Sequence, residues 1–366
     1  MATAPGTDTW IIGCGEARTA VRRDDVSITE LAWEAVAPAL TDAGTSLPEI
    51  EGAVTASQDF WDGRTISSMS VNELVGGAFG SEAKVAADAC LGLGYALARV
   101  EDADQHLNLV VAHAKESQGD MHTIELAAFD PYFQRALGPD ETVVAAFQAQ
   151  LLYAQGLFEP SHAARVVAAA RARSSSLDPL SAQDVLDSAP TADPLRELDR
   201  APLLDCASAI VIAGGEHAAR LARPRVRIVA AASRTGAYWS QRPELHTAPQ
   251  ARAAAEEALS IAGWEASDLD AIEINAPYAH QHLIVGHALG LGSGEELVRR
   301  FEGGGEGPAV NASGGWLGGS AGSVAGLHSV VSVFKRLRES GGRALAHSTT
   351  GIGTQSHHVV LLEASV

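Results

Sequence analysis

Residues 34–54, EAVAPALTDAGTSLPEIEGAV, and residues 253–273, AAAEEALSIAGWEASDLDAIE, share one organisation. Each begins with an alanine- and leucine-rich helical pattern that stops at Ala-Gly, and a short polar link then leads through an acidic residue into a strand pattern. Gly44 and Gly263 lie 219 positions apart, and a glycine at this place typically ends a helix in the left-handed conformation. The repeat therefore predicts a chain built from two similar halves.

The segments on either side of the repeat extend the same plan. Strand patterns rich in valine, isoleucine and alanine alternate with helical patterns, which is typical of α/β layers around a largely buried sheet. We therefore predict an α/β fold of five layers, αβαβα, in which the two halves stack back to back. The predicted first half takes residues 1–117 and 201–225, the second half takes residues 226–366, and residues 118–200 form a helical loop insertion over the active site.

The composition restricts the partners and the compartment. The 366 residues carry a formal net charge of -19, which argues against a general attraction to nucleic acid or to an anionic membrane. No run of about eighteen uncharged apolar residues predicts a membrane span, and the N-terminus lacks the basic region of a signal peptide. Three scattered cysteines are too few for a disulfide framework or a zinc site, so we expect a soluble cytoplasmic protein without a bound metal.

Five segments resemble, in the same order, motifs of the thiolase superfamily, and the resemblance is closest to the sterol-carrier-protein type of thiolase. They are VAADACLGLGYAL (85–97), HAKES (113–117), LLDCASAIVIA (203–213), EINAPYAHQHLIVGHALGLG (273–292) and VNASGGWLGGSAGSVAGL (310–327). The resemblance covers nearly the whole chain and implies the thiolase fold, an acyl-CoA substrate and coenzyme A as cosubstrate, with no permanently bound cofactor. It also implies a homodimer, or a heterotetramer with a small zinc-ribbon and OB-fold protein.

Cys90 has two interpretations. A free cysteine is more often a buried core residue than a catalyst. The pattern, however, predicts a strand that ends at Cys90 and a helix near residues 92–102. At the start of a helix the dipole lowers the pKa of a thiol, and Gly92 and Gly94 allow a ligand or the backbone to approach closely. The resemblance places the acyl-accepting cysteine of the family at Cys90, and we therefore predict that it is the nucleophile.

Other motif positions depart from the family. Its Gly-His-Pro histidine maps to Ser320, and its second cysteine maps to Gly351. Ser320 and Gly319 remain candidates for substrate binding, as does Gly351, although Ser320 is also explained as the N-cap of a helix predicted over 320–338. Asn275 matches the asparagine that positions a water in the oxyanion hole, but an asparagine also caps turns, and both interpretations stay open.

The histidines and arginines add weaker signals. His347, at the end of a predicted strand, is the best candidate for a relocated base, and a structural strand-end histidine is the alternative. His280, His282 and His287 do not have the spacing of a metal-binding pair. The arginines of residues 163–176 predict a solvated helix face or contacts with coenzyme A phosphates; they are Arg165, Arg171 and Arg173.

Three functions follow from these residues. The leading hypothesis is an acyl-CoA thiolase or acyltransferase that makes or breaks a C–C bond of a 3-ketoacyl-CoA through an acyl-cysteine at Cys90. The first alternative is a catalytically degenerate subunit that works with the zinc-ribbon and OB-fold partner. The second is a CoA-dependent aldolase on the same fold that uses a tyrosine, for which Tyr278 is the candidate because it lies beside Asn275.

Overall fold

The computed structural model describes residues 2–3, 9–76, 80–102, 105–219 and 226–364. The predicted halves include residues 1, 220–225 and 365–366, which lie outside these ranges. The strands are β1 (Ala2–Thr3), β2 (Thr9–Glu16), β3 (Gly52–Ala56), β4 (Ser81–Val85), β5 (Leu107–Lys115), β6 (Asp205–Gly214), β7 (Val226–Thr235), β8 (Ala271–Glu273), β9 (Ala309–Val310), β10 (Gly342–Thr350) and β11 (Ser356–Ala364). The helices are α1 (Ile28–Ala43), α2 (Ser68–Val71), α3 (Ala89–Asp102), α4 (Met121–Ala127), α5 (Glu141–Ala154), α6 (Pro160–Ala172), α7 (Ala182–Asp187), α8 (Gly215–Ala219), α9 (Pro249–Ala262), α10 (Ala279–Ala288), α11 (Gly294–Phe301) and α12 (Ala325–Ser340).

The strands pair in two halves with the same connectivity. The order is β4-β3-β5-β6-β2 in the first half and β9-β8-β10-β11-β7 in the second. Strands β6 and β11, the last strands of the two halves along the chain, run antiparallel to both of their neighbours. The other pairs within each half are parallel. Hydrogen bonds continue from one half to the other, where β2 pairs with β7. The predicted α/β fold of two duplicated halves is confirmed.

The two copies of the sequence repeat, residues 34–54 and 253–273, adopt the same local structure. Helix α1 ends before Gly44, which has a φ of 70°, and α9 ends before Gly263, which has a φ of 68°. A short 3₁₀ turn follows each glycine, and strands β3 and β8 then begin at Gly52 and Ala271, again 219 positions apart. Glycine fits both sites because its missing Cβ permits the left-handed conformation.

Three hydrophobic clusters give the five layers. Helix α1 packs on β2 and β6, on the outer face of the first half, and α9 packs on β7 and β11, on the outer face of the second half. Between the halves lie α3 and α12, which contact each other and share one core with strands of both halves. Both faces of the central strands β3, β5 and β6 are buried, as their apolar patterns predict, whereas the edge strand β4 is partly exposed.

The segment between β5 and β6 is mostly helical. Its helices α5 and α6 pack on α10, and α6 also packs on α11, so the segment is anchored mainly on the second half. The residue boundaries of the insertion and of the two halves stay predictions. Within the described ranges, no helix has both the length and the apolar composition of a membrane span.

Two helix starts differ from the prediction. The strand expected to end at Cys90 ends at Val85, and α3 begins at Ala89, so Cys90 lies inside the first helical turn. Helix α12 begins at Ala325, with Val324 as its N-cap, and the predicted N-cap role of Ser320 is therefore wrong. The glycine-rich segment before Ala325 forms 3₁₀ turns, and the α-helix begins only after them.

Candidate active site

A cavity of about 810 Å³ lies where the two halves meet the insertion. Its wall is mostly apolar, and all three parts of the chain contribute to it. The apolar wall includes Trp61, Ala86, Ala87, Ile124, Ala127, Leu203, Pro277, Trp316 and Ile352. Four charged residues also line the cavity: Asp59, which is paired with Lys84, and Glu116, Glu141 and Arg200. Largely apolar cavities with a few convergent polar groups are the usual form of a substrate site.

Glu116 is the most perturbed acid of the cavity. It follows β5 directly, is 3% exposed, and its Oε2 accepts a hydrogen bond of 3.0 Å from the amide of Leu204. Burial, helped by the nearby charge of Asp62, raises the pKa of Glu116 to about 8, although Arg200 opposes the shift. A carboxyl group with a pKa near neutrality can both accept and donate a proton under working conditions.

Glu141 and Arg200 supply a second acid and a positive charge. Glu141 is the first residue of α5, and burial raises its pKa to about 7. Arg200 forms an ion pair with Glu125, and its guanidinium lies 5.8 Å from the ring centroid of Tyr278. Because a guanidinium keeps its charge at all working pH values, Arg200 can stabilise negative charge in the cavity.

A buried dyad lies behind Glu116. The Oδ2 of Asp62 is 3.6 Å from the Nδ1 of His113, and neither atom has a hydrogen-bond partner within the described residues. Asp62 and Glu116 both line a small separate cavity of about 10 Å³, together with Ser323. That volume is close to what a single water needs.

Cys90 lies away from the cavity. Its thiol is 3% exposed, belongs to the central core, and donates a hydrogen bond of 3.4 Å to the carbonyl of Gly326. Burial first, and then the carboxylate of Asp88, raise the pKa of the thiol well above its usual value, which reverses the expected effect of the helix dipole. Cys90 as nucleophile stays a prediction, and these surroundings favour the alternative of a core thiol.

Asn275 holds the glycine-rich segment. Its side-chain amide donates to the carbonyl of Ala325, at 2.8 Å, and to the hydroxyl of Ser329, while its oxygen accepts from the amide of Trp316. The residue is fully buried and does not line the cavity. Its groups are already bonded inside the protein, which supports the structural interpretation over the oxyanion hole.

His347 and Tyr278 are also buried behind the wall. The Nε2 of His347 is 3.0 Å from the Nδ1 of His357, and burial lowers the pKa of His347 well below its usual value. The hydroxyl of Tyr278 lies 2.9 Å from the hydroxyl of Thr142, and burial raises the pKa of the phenol. Neither side chain lines the cavity, and their catalytic roles stay predictions.

The remaining candidates separate into two places. Gly351 lines the main cavity beside Thr349 and Thr350. Gly319 and Ser320 line a second cavity of about 300 Å³ instead. Of the seven predicted site residues, the structure thus brings only Gly351 to the cavity that holds the perturbed carboxyl groups.

No sequence pattern singled out Glu116, Glu141 or Arg200 as a site residue. Glu116 lies in the HAKES motif that carried part of the resemblance, and a glutamate directly after an apolar strand is a signal that could have identified it. Glu141 begins a helix of the insertion and Arg200 ends that segment, where no motif was recognised. Their proximity depends on how the insertion packs.

Comparisons with known proteins agree with this architecture. Residues 231–363 match the family model described as "Thiolase C-terminal domain-like". The acetyl-CoA acetyltransferase of Methanocaldococcus jannaschii is 30% identical over 168 residues, which is 43% of this chain and 43% of the relative. The matched region thus spans less than half of the relative's length.

Three solved structures have a similar fold over the whole chain. The structure described as "Ltp2-ChsH2(DUF35) aldolase" has a TM-score of 0.80 at 20% identity and covers 99% of both chains. A monomeric SCP2-thiolase like protein type 1 from Mycobacterium smegmatis has a TM-score of 0.75 at 18% identity, covering 99% of this chain and 78% of that one. Human mitochondrial 3-ketoacyl-CoA thiolase in complex with CoA has a TM-score of 0.75 at 13% identity, covering 100% of both. The predicted resemblance is confirmed: the chain has the fold of these thiolase structures, and its residues 231–363 match the thiolase C-terminal domain-like family model.

Proposed function

We propose that the main cavity binds an acyl-CoA thioester and makes or breaks a C–C bond beside its carbonyl by acid–base chemistry, as an aldolase does. One observation carries the proposal: Glu116, a buried carboxyl group with a raised pKa, faces a cavity that no thiol of the described residues lines. The solved structures described as an aldolase and as a CoA complex support this choice of reaction and substrate.

The cleavage direction needs one base and no covalent intermediate. The ionised carboxylate of Glu116 takes the proton of a 3-hydroxyl group, and the O–H electron pair forms the new C=O bond. The bond between carbons 2 and 3 breaks, its electron pair passes into the thioester enolate, and an aldehyde or ketone leaves. The proton on Glu116 then returns to carbon 2, and the positive charge of Arg200 stabilises the negative charge that develops on the enolate.

The acyl-cysteine mechanism is the second candidate. It is supported by the acetyltransferase relative and by Ala86 and Ala87, which line the cavity just before Cys90 in the chain. It requires the thiol to leave the core and to ionise against the charge of Asp88. The fixed carboxyl groups of the cavity need no such rearrangement, and for this reason the aldolase reaction is preferred.

Product analysis separates the two reactions. We would incubate the chain with a 3-hydroxyacyl-CoA and follow the released carbonyl compound and the shortened acyl-CoA by mass spectrometry. The aldolase proposal expects both products, their loss in Glu116→Gln and their survival in Cys90→Ala. An acyl adduct on Cys90 after incubation with acetoacetyl-CoA, together with activity that survives Glu116→Gln, would contradict it.

A partner subunit is the second part of the proposal. We infer that a small DUF35 protein, with the zinc-ribbon and OB-fold architecture expected from the resemblance, binds this chain. The aldolase structure that contains a DUF35 component supports this inference.

Three large apolar side chains close together in the insertion sequence are more than 80% exposed and offer a docking surface: Tyr132, Phe133 and Leu137. Co-purification should be lost in Phe133→Ser and kept in Tyr95→Ser, an exposed aromatic on α3. Equal recovery of the partner with both variants would exclude this surface.

A further inference from the structure

A second cavity lies across the glycine-rich segment from the main one. It has a volume of about 300 Å³ and a mostly polar wall. Gly319, Ser320 and Val324 face it, whereas Gly322 of the same segment faces the main cavity. The proposed aldolase reaction makes no use of this second cavity.

Positive charge dominates the wall of the second cavity. Arg18, which forms an ion pair of 3.1 Å with Asp25, lines it together with Arg173 and His328, and Glu16 is the one carboxylate among its lining residues. Glu16 is already engaged, because its Oε1 lies 2.7 Å from the Nδ1 of His328 and its Oε2 binds Lys335. The chain as a whole is strongly acidic, so a pocket with this balance of charge is a local exception.

Arg173 is the cation with the least compensation. Its Nη1 donates a hydrogen bond of 3.1 Å to the carbonyl of Asn311, and within the described ranges no carboxylate oxygen lies within ion-pair distance of it. Burial lowers its pKa, while the nearby charge of Glu273 opposes the shift. Glu273 itself accepts hydrogen bonds from the hydroxyl and the amide of Ser313. A half-buried guanidinium without a carboxylate partner is stabilised when an anion binds.

Ser320 supplies an independent sign of a ligand. Its hydroxyl is buried, lines the second cavity and has no hydrogen-bond partner within the described residues. A buried hydroxyl without a partner is costly, so such groups normally bind a ligand or a water. Further hydroxyl groups on the same wall can converge on one ligand; they belong to Thr19, Ser175, Ser176 and Ser208.

We propose that the second cavity binds a phosphoryl or sulfate group, with the guanidinium of Arg173 and the hydroxyl of Ser320 as its principal donors. A tetrahedral oxyanion fits this wall because an arginine fork and several hydroxyl groups can each donate to a different oxygen. The volume of about 300 Å³ exceeds the need of a single ion and admits a small phosphate ester. The phosphoryl group comes either from free phosphate or from a phosphate ester such as coenzyme A.

Calorimetric titration of the whole chain with inorganic phosphate tests the site without any turnover. We expect wild type to bind phosphate, and Arg173→Gln to bind it about tenfold more weakly or not at all. Ser320→Ala, which removes only a hydroxyl, should also weaken binding and guards against misfolding of the arginine variant. Arg171→Gln is the matched control, because Arg171 lies in the last turn of α6, two residues before the C-cap residue Arg173, but outside the cavity wall.

Coenzyme A and dephospho-coenzyme A, titrated as competitors, identify the source of the group. Displacement of phosphate from wild type by coenzyme A assigns the site to a coenzyme phosphate, and to its 3′-phosphate if dephospho-coenzyme A does not compete. No displacement by either assigns the site to free phosphate or another ester. The site would be overturned if the heat of phosphate titration equalled that of a sodium chloride titration at the same ionic strength. It would also be overturned if that heat were unchanged in both Arg173→Gln and Ser320→Ala. Either result leaves the aldolase proposal untouched, since that depends on Glu116.

Discussion

Asp88, from the first half of the chain, accepts a hydrogen bond of 2.8 Å from the backbone amide of Gly326 in the second half. The same carboxylate accepts a hydrogen bond of 2.7 Å from the amide of Cys90 and another from the hydroxyl of Ser348. The two amides lie in the first turns of α3 and α12. One buried carboxylate therefore caps both helices of the central layer and joins the two halves.

Replacement of Asp88 should destabilise the protein at this junction. Asp88→Ala leaves two helix-terminal amides and a hydroxyl without partners in the core, and we expect a loss of about 3 kcal/mol in the free energy of unfolding. Chemical denaturation measures it. Asp24→Ala is the control, because Asp24 is exposed and its ion pair with Arg22 lies on the surface. A loss no larger than that of the control would show that the junction contributes little.

A substitution at Gly326 should destabilise the same junction. A Cβ at this position would overlap the carboxylate of Asp88. The predicted glycine-rich motif gave no reason to expect this, because the partner of Gly326 is distant in the sequence.

The buried histidines should make the fold sensitive to acid. Burial lowers the pKa of His280 to about 3, of His282 to about 4 and of His357 to about 3, so these rings are neutral in the folded state at neutral pH. The unfolded chain binds protons below about pH 6.5, and the folded chain does not until much lower pH. The free energy of unfolding therefore falls as the pH decreases from about 6.5 towards the folded-state values.

One such histidine accounts for roughly 1.5 kcal/mol between pH 6.5 and pH 5. Urea unfolding at these two pH values should show a smaller difference in His280→Phe than in wild type. His287→Gln, on the same helix but exposed to solvent, is the matched control. An unchanged difference in His280→Phe would mean that the ring of His280 is not held neutral by the fold.

The charge of Asp62 should tune the acid of the main cavity. Because Asp62 raises the pKa of Glu116, Asp62→Asn should lower it and shift the rise of kcat/KM, expected near pH 8, to lower pH. A pH profile of the cleavage reaction measures the shift. An Asp62→Asn profile that keeps the wild-type midpoint at reduced kcat would contradict the coupling and leave only a structural role for Asp62.

The duplicated fold was predictable because its signals are local. The two glycines that end α1 and α9 must adopt positive φ values, and glycine is the residue that does so at little cost. The strands were recognisable from their composition, and the repeat indicated two similar halves. These features depend on neighbours in the sequence, so one sequence is enough to find them.

The site was only partly predictable because it depends on where side chains point. Cys90 and Asn275 occupy the expected places in the fold, yet the Cys90 thiol donates to Gly326 and the Asn275 amide donates to Ala325. An early start of α3, capped by Asp88, was not visible in the sequence pattern. The polar groups of the main cavity come from distant segments, and only their packing brings them together.

Gly322 gives the sharpest test of the cavity itself. A Cβ at this position would lie 2.8 Å from the Oε1 of Glu116, whereas a Cβ at Gly94, inside α3, would meet no atom within 4 Å. Gly322→Ala should therefore displace the carboxylate of Glu116 and reduce kcat about tenfold or more, since small misplacements of a catalytic group are costly. Gly94→Ala should keep full activity and gain about 0.5–1 kcal/mol in stability, as expected when alanine replaces glycine within a helix. Full activity in a folded Gly322→Ala variant would show that Glu116 does not act from the position seen here, and the aldolase reaction would lose its base.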